Sequence, residues 1–160
     1  MGVSGTGKSS IGQRLADLLD AQFLEGDEHH PEANIAKMSA GVPLTDDDRW
    51  PWLESLARLI RSWDTSGVST VLTCSALRRS YRDVLRSAVP RPVVFIHLQA
   101  DLEVLEMRMR ERPGHFMPTS LLHSQLDTLE PLEPDETGFV IDVSVSLDDV
   151  LAAAVAAIKP

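Results

Sequence analysis

Residues 1–10 read MGVSGTGKSS, and within them Gly2, Gly7, Lys8 and Ser9 fit G-x-x-x-x-G-K-[ST], the pattern of a phosphate-cradling P-loop. Its glycines let backbone N–H groups turn toward phosphate oxygens, and the helix that follows adds the partial positive charge of its N-terminus. Ile11, Leu15, Leu18 and Leu19 recur at helical spacing, so the loop does open a helix. The nucleotide-binding set expected from the motif is Gly2, Val3, Ser4, Gly5, Thr6, Gly7, Lys8, Ser9 and Ser10. Lys8 would reach the β- and γ-phosphates of ATP, and the Ser9 hydroxyl would ligate Mg2+. A P-loop hangs between a buried strand and a helix, yet only Met1 and Gly2 stand where that strand should be. Losing a central strand would leave buried ladder groups unsatisfied at about 1–3 kcal/mol each. The expectation is therefore that Met1 is an internal methionine preceded by several apolar residues.

Outward from the loop, strand and helix patterns alternate. AQFLEGD (21–27) reads as a short strand with an acidic end, and HPEANIAKMSAG (30–41) as a short helix stopped by Gly41. LTDDDRWPWLESLARLIRSW (44–63) begins with capping residues and continues as a long amphipathic helix, in which Trp50, Trp52 and Trp63 serve packing. VSTVLTCSA (68–76) is a β-branched strand expected to be buried on both faces. Helix, strand, helix and helix follow in RRSYRDVLRSA, PVVFIHLQ, DLEVLEMRMRER and TSLLHSQLDTLE. TGFVIDVS is the last strand, and LAAAVAAIK is a packed helix capped by SLDD. The alternation predicts an α/β fold with a doubly wound parallel sheet, five-stranded if the first strand exists. Ligands then gather at the carboxyl ends of strands, which carry Gly26-Asp27, Cys74-Ser75 and Gln99-Ala100.

The composition suits this reading. One domain spanning 1–160 is expected, since no linker-like tract divides the chain. Fifteen basic and twenty-four acidic side chains leave a net charge of −9, which repels nucleic acid and anionic membrane over most of the surface. No apolar run is long enough to span a bilayer, and a single cysteine, Cys74, fits a reducing, cytoplasmic setting. Asp27 at a strand end suits a proton acceptor or a holder of magnesium-bound water. The neighbouring His29 and His30 point in different directions and have no third spaced ligand, which argues against zinc. His97, in an apolar strand, reads as a core histidine.

Taken together, GVSGTGKSS, EGDEHHPEANIAKMSAGVPLTDDDRWPWL, CSALRRSYRDVLR, GHFMPTSLLHSQLDTLE and VIDVS resemble the P-loop gluconokinases, in family order and over nearly the whole chain. The resemblance implies a kinase of the nucleoside-monophosphate/shikimate-kinase type that uses ATP and Mg2+ to phosphorylate D-gluconate, with a homodimer as its assembly. It makes Lys8, Asp27, Arg108 and Arg112 the catalytic set, with Asp27 also holding Mg2+ through water. It puts Asp27, His30, Asn34, Lys37, Arg49, Ser75, Arg79, Arg82, His115 and Gln125 around the acceptor, with Arg49 as the bidentate carboxylate anchor. Arg108 and Arg112 belong to a lid at roughly 108–120. Arg78 departs from the family, which has Lys after CSAL. A kinase of the same fold for another small hydroxy acid, or a nucleotide-binding protein without turnover, remains as an alternative.

Overall fold

The computed structural model describes residues 1–111 and 120–158. Along the chain, α1 (Lys8–Leu19) leads through β1 (Gln22–Glu25) and a single 3-10 turn (Gly26–His29) to α2 (Glu32–Ser39) and α3 (Asp46–Thr65). Then come β2 (Thr70–Thr73), α4 (Arg79–Arg86), β3 (Phe95–Gln99), α5 (Leu102–Glu111), α6 (Ser120–Thr128), β4 (Gly138–Asp142) and α7 (Leu147–Ile158). The expected order is reproduced, and local chemistry explains the boundaries. Gly41 ends α2 with a left-handed φ of 74°. Thr45 and Asp48 form a reciprocal capping box on α3, whose first turn is acidic where the helix dipole favours negative charge. Ser146 caps α7 by accepting from the Asp149 N–H at 3.2 Å.

All strand pairing is parallel, as the alternation requires. β1 runs beside β2 with Gln22 opposite Thr70 and Glu25 opposite Thr73, and β3 runs beside β4 with Phe95 opposite Gly138. These are two separate pairs. Met1 and Gly2 bridge them: the Gly2 N–H donates to Ser75 O at 3.1 Å and the Leu98 N–H to Met1 O at 2.9 Å. Helices α3 and α4 pack with Leu24 and Cys74 in one apolar cluster, whereas α1 and α7 pack with Leu98 and Ile141 in another. This is the two-sided cover of a doubly wound fold.

One expectation fails in detail. Thr70, Val71 and Leu72 are only half-buried, not buried on both faces. Sequence pattern reports a residue's preference for burial; whether a neighbour arrives to bury it depends on the strand next door, and beside β2 the sheet is interrupted.

Candidate active site

At the phosphate end, Gly2, Gly5 and Gly7 take φ values of 138°, 85° and 82°, which side-chain-bearing residues rarely adopt. Gly7 caps α1 without any side-chain hydrogen bond, so the first helical N–H groups are left for an anion. The loop is held from within and from α6: Thr6 Oγ1 donates to Val3 O at 2.9 Å, Lys8 Nζ to Val3 O at 3.0 Å, and the Ser4 N–H to Gln125 Oε1 at 2.7 Å. Gln125, expected at the acceptor, is thus placed against the P-loop. Ser9 is half-buried beside Lys8 and Ser10 is exposed.

The acceptor end begins where β1 stops. A Cβ on Gly26 would lie 2.2 Å from Thr73 O, so only glycine lets the chain turn this close to β2 and present Asp27 beyond it. The Trp52 Nε1–H fixes the same turn by donating to Gly26 O at 2.8 Å. Its ring stacks on His30, with centroids 3.9 Å apart and planes 19° from parallel. Burial pushes the His30 imidazole down to about 4, against the raising pull of Asp27 and with a further lowering from Arg49, so it is neutral at pH 7. His30 Nδ1 lies 3.4 Å from Asn34 Nδ2, which also donates to Asp48 O at 2.8 Å. Asp27 stands 4.0 Å from His30 Nε2 and keeps 29% of its side chain exposed. Between the two ends, the Cys74 thiol is pushed up to about 12, mainly by burial, and it senses both the Asp27 carboxylate and the Lys8 ammonium.

Arg49 is the unusual member. It is 7% exposed, its Nε is buried without a hydrogen-bond partner, and its guanidinium carbon lies 5.6 Å from the centre of the Tyr81 ring. No carboxylate among the described residues pairs with it. A buried guanidinium with an open donor is costly on its own and suits an incoming anion.

The other expected residues are engaged elsewhere. Lys37 Nζ pairs with Asp48 Oδ1 at 2.6 Å. Arg79 binds Asp135 with both terminal nitrogens at 2.6 Å and also reaches Glu133. Arg82, fully buried, makes a two-pronged pair with Glu136 at 2.6 and 2.7 Å and donates to the carbonyls of Ala76, Leu77, Glu130 and Pro131. It thereby braces the turn after Ser75, where Ala76 holds a left-handed φ of 44°. Arg108 donates to Val143 O at 2.7 Å. Arg112 and His115, and most of the expected lid, lie outside the described residues. Arg78, the departure from the family pattern, pairs with Asp46 Oδ2 at 2.8 Å, and the Tyr81 hydroxyl donates to the other oxygen of that carboxylate.

Trp52 and Asp48 were missed as site-builders. The tryptophan's helical spacing announced burial only, and Asp48 read as one of three capping aspartates. Nothing local signals that one carboxylate would also hold Lys37, or that one indole would set the Asp27 turn.

For magnesium, the two residues expected to hold it, Ser9 and Asp27, offer hard oxygens, a hydroxyl and a carboxylate. That set fits a cation bound through phosphate, one hydroxyl and water. Among the described residues no three His, Cys, Asp or Glu side chains converge on a metal position. No helix among them is long and apolar enough to cross a membrane.

A family profile described as an AAA domain matches residues 1–132. The thermoresistant gluconokinase of Escherichia coli (strain K12) is 42% identical over 99% of this chain and 91% of its own. An unliganded sugar kinase from Janibacter sp. HTCC2649 superposes with a TM-score of 0.95 at 51% identity, covering 99% of this chain and 91% of that one. A gluconokinase from Sinorhizobium meliloti 1021 gives a TM-score of 0.89 at 46% identity, covering 99% and 88%. The P-loop, the acceptor segment and these near-full-length likenesses agree: the chain belongs to the gluconokinase family of P-loop kinases.

Proposed function

We propose that this chain, as a single kinase domain, transfers the γ-phosphoryl group of ATP to D-gluconate, giving ADP and 6-phospho-D-gluconate. The observation that carries the reading is Arg49: a buried guanidinium with an unpartnered Nε, whose charge is felt by His30, the residue that Asp27 and Asn34 also approach. It supplies the fork that a sugar acid's carboxylate requires. Neutral His30 and Asn34 offer hydrogen bonds to a polyol without adding charge.

In this reading Asp27 accepts the proton of the reacting hydroxyl as its oxygen bonds to the γ-phosphorus and the bond to ADP breaks. Ser9 and, through water, Asp27 would hold magnesium, which would supply charge neutralisation on the phosphates. Lys8 and the N-terminus of α1 orient the phosphates. Arg82 acts by holding the Ser75 turn, and Gln125 by holding Ser4 of the P-loop. Arg79, Lys37 and Ser75 shape the acceptor side. Arg108, Arg112 and His115 keep the lid roles that the family implies, and a homodimer remains part of the reading.

The test is ADP release measured over a panel of acceptors. D-gluconate should support turnover, and D-glucose, which lacks the carboxylate, should not. Asp27→Asn should lower the rate by about 10²- to 10⁴-fold with nucleotide affinity unchanged. Turnover on shikimate or another hydroxy acid in place of gluconate would replace the substrate, and nucleotide binding with no turnover on any acceptor would overturn the activity.

A further inference from the structure

Asp46 and Arg49 stand three residues apart in the first turn of α3, a spacing at which opposite charges on a helix ordinarily pair. Here the carboxylate turns instead toward α4 and its cap. Arg78, the N-cap of α4, donates from Nη1 to Asp46 Oδ2 at 2.8 Å, and the Tyr81 hydroxyl donates to Asp46 Oδ1 at 2.5 Å. Both oxygens of Asp46 are thus engaged by the neighbouring helix. Arg49, one turn along, keeps a buried Nε with no hydrogen-bond partner.

Tyr81 serves both groups at once. It is 1% exposed, its ring centre lies 5.6 Å from the Arg49 guanidinium carbon, and Trp50 packs edge-on against it at 5.3 Å with the planes 82° apart. An aromatic ring attracts a guanidinium without using any of its N–H donors. Burial, and then the hydrogen bond to Asp46, push the Tyr81 hydroxyl up to about 12, so it stays protonated and donating at neutral pH. Burial also pushes the Arg49 guanidinium down, with Tyr81, Cys74 and Asp46 pulling it back and Arg78 adding to the lowering. Asp46 and Arg78 therefore both lie within electrostatic reach of Arg49.

We propose that Arg78 and Tyr81 are positioning residues that hold Asp46 away from Arg49, and so keep a carboxylate of the protein's own from taking the donor that the acceptor's carboxylate needs. The inference rests on the reading of Arg49 as the carboxylate anchor. The physical case is competition. A carboxylate tethered one helical turn away acts at a high effective concentration, so it outcompetes a dissolved sugar acid unless something else binds it. Two hydrogen bonds, one of them assisted by the Arg78 charge, supply that restraint. Charge balance points the same way. Arg78 answers Asp46, which leaves the positive charge of Arg49 uncancelled and the site selective for an anionic acceptor over a neutral polyol. Arginine in place of the family's lysine at position 78 preserves the charge that this task requires.

The experiment reads the D-gluconate dissociation constant, by calorimetry with a non-hydrolysable ATP analogue present, together with kcat. It compares the parent chain, Arg49→Met, the pair Arg78→Met with Tyr81→Phe, that pair with Asp46→Asn added, and Asp46→Asn alone. Releasing Asp46 in the paired variant should weaken gluconate about 10-fold, the low end for one charge-assisted hydrogen bond, with kcat at saturation unchanged. Adding Asp46→Asn should restore the affinity to within about 2-fold of the parent, where Asp46→Asn alone should also stand. A merely structural role for Arg78 or Tyr81 gives no such recovery on removing a third side chain. No weakening on release of Asp46, or a weakening that Asp46→Asn does not reverse, would overturn the proposal. If the paired variant does not fold, Arg78→Met alone, at a half-exposed side chain, makes the same comparison with a smaller amplitude. The Arg49→Met arm separates the two layers. Unchanged gluconate affinity there removes Arg49 as the anchor and the proposal with it. Weakened affinity there, without recovery through Asp46→Asn in the paired variant, leaves the anchor standing and overturns the restraint alone.

Discussion

Arg49 and Arg82 are both buried arginines, 7% and 0% exposed, and they lie on adjacent helices that pack together. Arg82 meets a carboxylate with two prongs and four backbone carbonyls. Arg49 has a buried Nε with no partner and an aromatic ring as its neighbour. A buried charge that is fully bonded holds the protein's own loops together, whereas one left open keeps a donor free, which is what the proposed role of Arg49 as carboxylate anchor requires. The family resemblance implies an acceptor role for both arginines, so the difference between them is invisible to residue identity.

The comparison breaks most visibly at Glu136. Removing one partner of a buried ion pair strands the other charge, at about 3–5 kcal/mol. Glu136→Ala should therefore lower the thermal midpoint by roughly 6–20 °C, measured by calorimetry without ligands. A shift within about 2 °C would mean that Arg82 finds water or another acceptor, and that the contrast with Arg49 is false.

Arg49→Met, which keeps most of the volume and deletes the charge, should give the opposite pattern. The midpoint should hold or rise, because an unpaired buried guanidinium no longer has to be desolvated. The gluconate Michaelis constant should rise about 10- to 150-fold, the equivalent of roughly 1.5–3 kcal/mol for a charge-assisted hydrogen bond. The Michaelis constant for ATP should not move. A large loss of stability with little change in gluconate affinity would make Arg49 a structural residue like Arg82.

The smallest effect is on pH. Burial pushes both His30 and His97 from 6.5 down to about 4, with Arg49 adding to the lowering at the first, and the Met1 amine and Arg82 at the second. A base with a depressed folded pKa binds fewer protons folded than unfolded. The stability these residues contribute is thus fully present above about pH 6.5 and is lost as pH falls toward 4. Denaturant midpoints measured between pH 8 and 4 should decline through that window, and less so in His97→Gln. Gluconate affinity, resting on neutral His30 and always-charged Arg49, should be flat from pH 6.5 to 8.

Much of this protein is legible along the chain. The P-loop is a local motif whose glycines and helix onset lie within a dozen residues, and the residues proposed for the acceptor between Asp27 and Arg49 sit on two helices and one turn, so their grouping follows from short-range geometry. Arg79 and Arg82 mislead for the converse reason. Their carboxylate partners, Glu133, Asp135 and Glu136, lie more than fifty positions away. Trp52 was legible as buried but not as the clamp on Gly26, since that contact joins a helix to a turn twenty-six residues earlier.

What the sequence by itself determined is the order of elements, the phosphate loop and the family, because these are written in local propensity, spacing and short strings. Tertiary structure alone decided which buried arginine is satisfied and which is open, and how far β2 is covered. Each of those depends on pairings between distant segments, and a hydrogen-bonding group or an apolar edge carries the same sequence signature whether or not its partner arrives.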